Sequence, residues 1–421
     1  MPVAHDGWLQ QAYHNNLSLS PGVKLTGPDT MDKDGVARIS QEPVRKEENV
    51  RRMLPTPCLF VLGLLLPALA ARAQELQVEI VQPPMPFLTA DTGSIDRKIE
   101  PSGVEPIGNG KLLLVADDKN GSLVVVEGAT GQVKQSLQLS TFDTRPKWEA
   151  LARDDQGAYY VIGSHFVEEP AEEGAQKNVK DVSRLFRFRL RSDGPNGGLL
   201  VIDPESTIEW DITDALAVEG YHRDPLKNEV NIEGLTVRIL RDEAGHVTLR
   251  ELVIGLREPH NPVRVYAADI TTIPAPNAKL SLIPLFRFHA GRREGVLSQL
   301  SSIDYLSAWN GFFILTSTED KNNRHYGNTL WFLSDEKILA SRPAEVQPDK
   351  LKLVDLQLVE PEKVWVFGVG VKAEGLCVLS EEPAGDGKAR RGRLAIVYDN
   401  DTAKTGHLGL LQFITLLRWP E

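Results

Sequence analysis

The chain has 421 residues, a formal net charge of −11 and two cysteines, Cys58 and Cys377. The acid excess argues against nucleic acid or an anionic membrane face as partner, since both need basic patches. Cys58 lies in an apolar leader, so an exported domain keeps only Cys377 and no internal disulfide; a buried core, which this length supplies, must carry stability.

Residues 1–52 are polar and lack helical or strand periodicity. Residues 53–73 read as a secretory signal, with an apolar run from Cys58 to Leu66 and a small-x-small site at Ala71-Arg72-Ala73, cleavage falling before Gln74. That run is short for a membrane span of about 20 residues, so an uncleaved anchor is the weaker alternative. Met53 is a candidate true start; the n-region would then hold only the α-amino charge, which Arg51 and Arg52 supply if translated. The expected organisation is an extension or mis-assigned start over 1–52, a signal over 53–73, and one folded domain over 74–421. That domain is expected to be periplasmic or secreted, monomeric, and free of stable membrane insertion.

After Gln74, strand signals dominate. Leu112 to Val115, Leu123 to Val126, Tyr159 to Ile162 and Phe312 to Leu315 are short β-rich runs, most preceded by turn residues such as Gly108-Asn109-Gly110 or Asn310-Gly311. Leu185 to Leu190 alternates with period two. Pro170 to Val182 and Ala384 to Arg391 read as loop insertions. A phrase then recurs: an acid or hydroxyl, a small residue and an apolar residue open one strand, and the following strand ends in polar groups. It reads Ser102-Gly103-Val104, Glu149-Ala150-Leu151, Glu233-Gly234-Leu235 and Glu374-Gly375-Leu376, with Ser302-Ile303-Asp304 as a looser match.

The repeat predicts an all-β fold, a β-propeller of five blades. The long interval between the second and third phrases leaves room for a sixth. The last unit offers only three strands, so Leu76 to Val81 is expected to complete it and close the ring. A β-sandwich, or two smaller β-domains, is the alternative.

Trp148-Glu149-Ala150-Leu151, Asn231-Ile232-Glu233-Gly234-Leu235 with Ile254-Gly255-Leu256-Arg257-Glu258-Pro259, Ser302 to Leu306, and Glu374-Gly375-Leu376 with Val397-Tyr398-Asp399 carry a resemblance. Over most of 100–400 the chain resembles a bacterial domain family of unknown function related to esterase-like and phytase-like propeller domains. Ala150 and Glu258 depart from the glycines common in that family. The resemblance implies a propeller and brings no agreed activity.

Folding each hairpin back brings Glu149 toward His165, Glu233 toward Arg257, Ser102 toward Asp117, Asp304 toward Glu319 and Glu374 toward Asp399. First strands line a propeller's axis, so Glu149, Glu233, Asp304 and Glu374 are expected to converge at one end of it. The candidate catalytic residues are His165, Glu233 and Arg257; Ser102, Glu149, Asp304 and Glu374 are candidate ligand contacts. Glu149, Glu233, Glu374 and Asp399 are candidate oxygen ligands for a hard cation such as Ca²⁺, the only cofactor the sequence points to. The expected partner is a small polar or anionic ligand; the alternative function is hydrolysis of an ester or phosphoester. Against both stands the simpler reading that the glutamates cap neighbouring backbone or pair with Arg257. No HExxH, GxSxG or paired CxxC motif occurs, and Gly368-Val369-Gly370 lacks the third glycine and helix of a dinucleotide loop.

Overall fold

Runs of leucine, β-branched and aromatic residues between Gly, Asn and Asp turns fold as antiparallel strands. The computed structural model describes residues 76–421 except 90–92, 94–95, 97–98, 117–122, 140–146, 167–180, 194–198, 226–228, 259–261, 323, 344–345, 348–349, 369–370, 384–389, 403–405 and 419–421. The extension over 1–52, the signal over 53–73, Asp117 and most of both expected loop insertions lie outside the described residues.

The described chain opens with β1 (Gln77–Ile80) and β2 (Met85–Pro86). Blade 1 is β3 (Pro101–Gly108), β4 (Lys111–Ala116), β5 (Leu123–Glu127) and β6 (Gln132–Leu137). Blade 2 is β7 (Trp148–Arg153), β8 (Ala158–Gly163), β9 (Arg184–Ser192) and β10 (Leu200–Asp211), followed by the short helix α1 (Thr213–Val218). Blade 3 is β11 (Asn231–Arg241), β12 (Val247–Glu258), β13 (Val263–Asp269) and β14 (Ile283–Phe288). Blade 4 holds β15 (Arg292–Arg293), β16 (Val296–Leu306), β17 (Gly311–Glu319) and β18 (His325–Ser334), then α2 (Asp335–Ala340). Next, β19 (Leu358–Val359) adds to β14 and β20 (Glu362–Val366) adds to β18. Blade 5 is β21 (Ala373–Pro383), β22 (Arg390–Thr402) and β23 (Gly406–Arg418). Its fourth strand is β1, with Gln77 opposite Leu417 and Ile80 opposite Ile414, and β2 extends the same edge. The blade count is therefore five. The long interval between the second and third phrases holds β9, β10 and α1 rather than a sixth blade.

Five hydrophobic cores lie between successive blades, because alternate residues of each strand face opposite neighbours. In β4, Leu113 and Val115 join Tyr159 and Phe186 of blade 2, while Leu112 and Leu114 join Val397 and Phe413 of blade 5. The inner strands β3, β7, β11, β16 and β21 are each packed against the next, and β21 returns to β3. The close approach of inner strands explains the small residue in the repeated phrase. A Cβ on Gly103 would lie 2.8 Å from the Leu151 nitrogen, and one on Gly375 would lie 3.0 Å from both Gly103 Cα and Ser102 O. On Gly234 it would meet Ile303 at 2.7 Å.

Candidate functional site

At an equivalent place in every inner hairpin the register slips by one residue. The extra residue is Ser102 in β3, Glu149 in β7, Glu233 in β11, Ser301 in β16 and Glu374 in β21. A bulge leaves that residue out of the ladder and re-aims its side chain. The acid or hydroxyl of the repeated phrase is thus the bulged residue. In blade 4 the true phrase is Ser301-Ser302-Ile303, one step earlier than the sequence alignment placed it, and Asp304 moves into a deeper layer. Asp304 pairs with Phe313 in register, whereas Ser298 and Thr318 mark the strand ends near Glu319, so the expected approach of Asp304 to Glu319 does not occur.

Each bulge glutamate carries its own cation. Lys147 Nζ lies 3.0 Å from Glu149 Oε1, and Lys372 Nζ lies 2.6 Å from Glu374 Oε1. Both lysines stand two residues before their glutamate, at the position that precedes the strand. In blade 3 that position is Asn231, whose Nδ2 donates to Glu233 Oε1 at 2.9 Å. The cation there is Arg257, as the sequence pairing expected: Nη1 donates to Glu233 Oε1 at 3.0 Å, Nη2 to Glu319 Oε2 at 3.3 Å and Nε to Gln299 Oε1 at 3.0 Å. These partners join blades 3 and 4. Burial opposes the Arg257 charge, but Glu233 and Glu319, with Glu149 across the blade 2 boundary, hold its pKa above the ordinary arginine value. Asp399 lies beside the Lys372–Glu374 pair, its N–H donating to the Lys372 carbonyl at 2.9 Å. Among the described residues no group of three or more His, Cys, Asp or Glu side chains is arranged to hold a metal ion. Ser102 is buried at its bulge. The Ser301 hydroxyl is fully buried and makes no hydrogen bond among the described residues.

His165 lies at the end of β8 in a left-handed backbone conformation, φ +52°, unusual for a side-chain-bearing residue. Its ring is not bonded to Glu149 or Glu233. Nδ1 is 2.6 Å from Ser183 Oγ, a hydrogen bond between two buried side chains. Burial lowers the imidazole pKa, more than the His222 carbonyl and the field of Asp211 raise it. Ser183 had no signal in the sequence, since 18 residues and a loop separate it from His165.

The deeper layer comes from the position three residues past each bulge: Glu105, Ala152, Thr236, Asp304 and Cys377. In two blades this side chain accepts from a backbone N–H at the following position of the next blade's inner strand: Thr236 Oγ1 from Tyr305 N–H at 3.2 Å, and Asp304 Oδ2 from Val378 N–H at 2.6 Å. Asp304 Oδ1 also accepts from the Thr236 hydroxyl and from Tyr305 N–H, both at 2.7 Å. The side chains therefore latch blade 3 to 4 and 4 to 5. After Cys377 the corresponding position in blade 1 is Pro106, which has no N–H to offer. Burial raises the Asp304 pKa to about 6 against the pull of those three donors. Burial, and then the charge of Asp304, raises Glu105 well above the carboxylate range.

No family model matches the chain, and no curated protein matches it. Among solved structures it is similar to an exo-β-1,3-galactanase from Phanerochaete chrysosporium solved with galactose, at 7% identity and a TM-score of 0.39, over 78% of this chain and 64% of that one. It is similar to Drosophila Semaphorin 1a, extracellular domains 1–2, at 8% identity and 0.35, over 77% and 80% of the two chains. A protein of unknown function from Dyadobacter fermentans matches at 8% identity and 0.36, over 82% of this chain and all of that one. The chain thus spans under two thirds of the galactanase, and at these scores the likenesses say nothing of what it binds. The five blades rest on the strand pairing itself.

Proposed function

We propose that this propeller is an exported binding protein that takes a small polar or anionic ligand at the bulge layer. Arg257 carries the reading. Gln299, Glu233 and Glu319 accept one N–H each, which leaves two of its five donors for a ligand among the described residues. Lys147 and Lys372, just before the inner strands of blades 2 and 5, add ammonium donors from two further blades to the guanidinium of blade 3. A calorimetric and melting-temperature screen with inorganic phosphate, simple carboxylates and monosaccharide acids tests the proposal. Saturable binding that weakens in Arg257→Lys, which keeps the charge and loses the planar fork, supports it. No response to any probe, or an equal response in Arg257→Lys, ends it. The exported address rests on residues 53–73, and a mature N-terminus at Gln74 in cell-derived protein is the expected result.

Ester hydrolysis is the second reading, in line with the resemblance to esterase-like and phytase-like domains. The observation in its favour is the Ser183–His165 bond, a hydroxyl 2.6 Å from a buried imidazole nitrogen. Both residues are only 2% exposed, so a substrate reaches them only after the cover over them moves. Turnover of p-nitrophenyl acetate by the wild type, lost in Ser183→Ala, is the expected outcome; equal turnover in that variant removes the reading.

A further inference from the structure

The chain ahead of the first blade does more than add a strand to the last one. From Gln77 to Phe87 it follows β23. β1 covers Leu417 to Ile414, Val81 N–H donates to the Phe413 carbonyl at 3.3 Å, and Gln412 Nε2 donates to the Gln82 carbonyl at 3.3 Å. Met85 and Pro86 then face Leu411 and Leu410, and Phe87 N–H donates to the Gly409 carbonyl at 3.3 Å. One residue later the chain changes partner. Leu88 N–H donates to the Gly131 carbonyl at 3.0 Å, and the Leu88 carbonyl accepts from Val133 N–H at 2.8 Å, so this residue is bonded to blade 1. The Phe87 ring is fully buried in the core that blades 5 and 1 share, with Val104, Cys377 and Val397. Each side of this cradle has a glycine. A Cβ on Gly409 would lie 2.8 Å from the Phe87 ring, and one on Gly131, left-handed at φ +69°, would lie 2.6 Å from the Pro86 carbonyl oxygen.

The other four seams are bonded directly between their blades. Tyr159 Oη donates to the Pro106 carbonyl at 3.1 Å across blades 1 and 2, and Ile232 N–H donates to the Ser164 carbonyl at 2.8 Å across blades 2 and 3. Arg257 and Asp304 serve the seams on either side of blade 4. Between blades 5 and 1, the bridging backbone hydrogen bonds among the described residues all pass through Phe87 and Leu88. The inner strands offer no latch there, because the position that would serve Cys377 is Pro106, which has no N–H.

We propose that Met85–Leu88 is a releasable clasp, whose release parts blade 5 from blade 1 while the rest of the ring stays folded. β1 pairs with β23 alone, so it completes blade 5 without spanning the seam. Release takes Phe87 out of the shared core and gives solvent a route to Cys377, which is fully buried there. A few hydrogen bonds and one ring hold the clasp, so this opening needs far less free energy than unfolding of the chain. It also loosens β21 against β3, the inner strands that carry Glu374 and Ser102. The inference stands apart from the ligand proposal, which uses no residue of the clasp.

The test treats the full chain with a thiol reagent under native conditions and reads modification at Cys377 by peptide mass spectrometry. In the wild type this labelling is expected to run at least about tenfold faster than global unfolding allows, and to change little with low urea concentrations. Gly131→Ala pushes on the Pro86 carbonyl without opening a cavity. It is expected to speed the labelling by about a further tenfold while the urea midpoint, read by tryptophan fluorescence, moves little. Gly234→Ala, whose methyl meets Ile303 at the contact between blades 3 and 4, is the control and should leave the labelling rate at its wild-type value. Labelling that tracks global unfolding in the wild type, or a response to Gly234→Ala as large as that to Gly131→Ala, overturns the proposal. Should Gly131→Ala not fold, the urea dependence of the wild type decides alone.

Discussion

The bulge layer and the layer beneath it are built from the same five strands, three residues apart, and they manage charge in opposite ways. Above, Glu149, Glu233 and Glu374 each keep a cation at their carboxylates, two of them supplied from just before the same strand. Below, Glu105 and Asp304 have none among the described residues, and Asp304 relies on a backbone donor from the next blade. The difference follows from how far a side chain must reach. A lysine two residues away along a strand lies on the same side as the bulged glutamate, but deeper in, the neighbouring strands are too close for a long cation. Compensation at Asp304 then falls to backbone N–H groups and the Thr236 hydroxyl. The proposed binding role falls to the upper layer, while the hydrogen bonds of Thr236 and Asp304 in the lower one tie neighbouring blades together.

The largest break in this contrast is expected from Arg257→Ala. It strands Glu233 and Glu319 in a nearly buried cluster and should cost about 3–5 kcal/mol in urea unfolding. Arg257→Ala with Glu233→Gln should recover part of that loss, because the orphan charge is gone.

Next comes the pH dependence of Asp304, whose pKa rises from an ordinary aspartate value to about 6 on folding. Between about pH 4 and 6 the native state binds the extra proton. The residue's contribution is therefore complete below that window and declines by on the order of 3 kcal/mol as pH rises through it. Asp304→Asn should flatten the wild-type slope there while weakening the accepting contact to Val378 N–H at every pH.

Gly375→Ala tests why the phrase needs its small residue. The added methyl meets Gly103 Cα and Ser102 O at 3.0 Å, both backbone, so a loss of about 1–3 kcal/mol is expected. The smallest effect should come from Ser301→Ala. Its hydroxyl is buried without a hydrogen bond, so removal should be neutral or stabilising by up to about 1 kcal/mol in thermal unfolding.

Much of this architecture was legible because the phrase records geometry. Its small residue marks the contact between inner strands, its apolar residue faces the preceding blade, and its first residue is the bulge. The closing strand at Gln77–Ile80 was legible from the missing fourth strand of the last unit. Asp304 was misplaced because a serine precedes the small residue in blade 4, as in Ser102-Gly103-Val104, and the eye follows the acid instead. Aligning Ser301 with Ser102 would have set Asp304 beside Glu105 and exposed the deeper layer. The partner of His165 was not legible, since no periodicity links a strand end to a serine beyond a long loop.

A double-mutant cycle between Arg257 and Glu319 measures most directly whether charges distant in sequence meet across blades at the bulge layer. With Arg257→Met and Glu319→Gln, a favourable coupling of about 1–3 kcal/mol is predicted for this partly buried contact between blades 3 and 4. A coupling indistinguishable from zero would contradict the account, because the two side chains would then belong to separate surfaces.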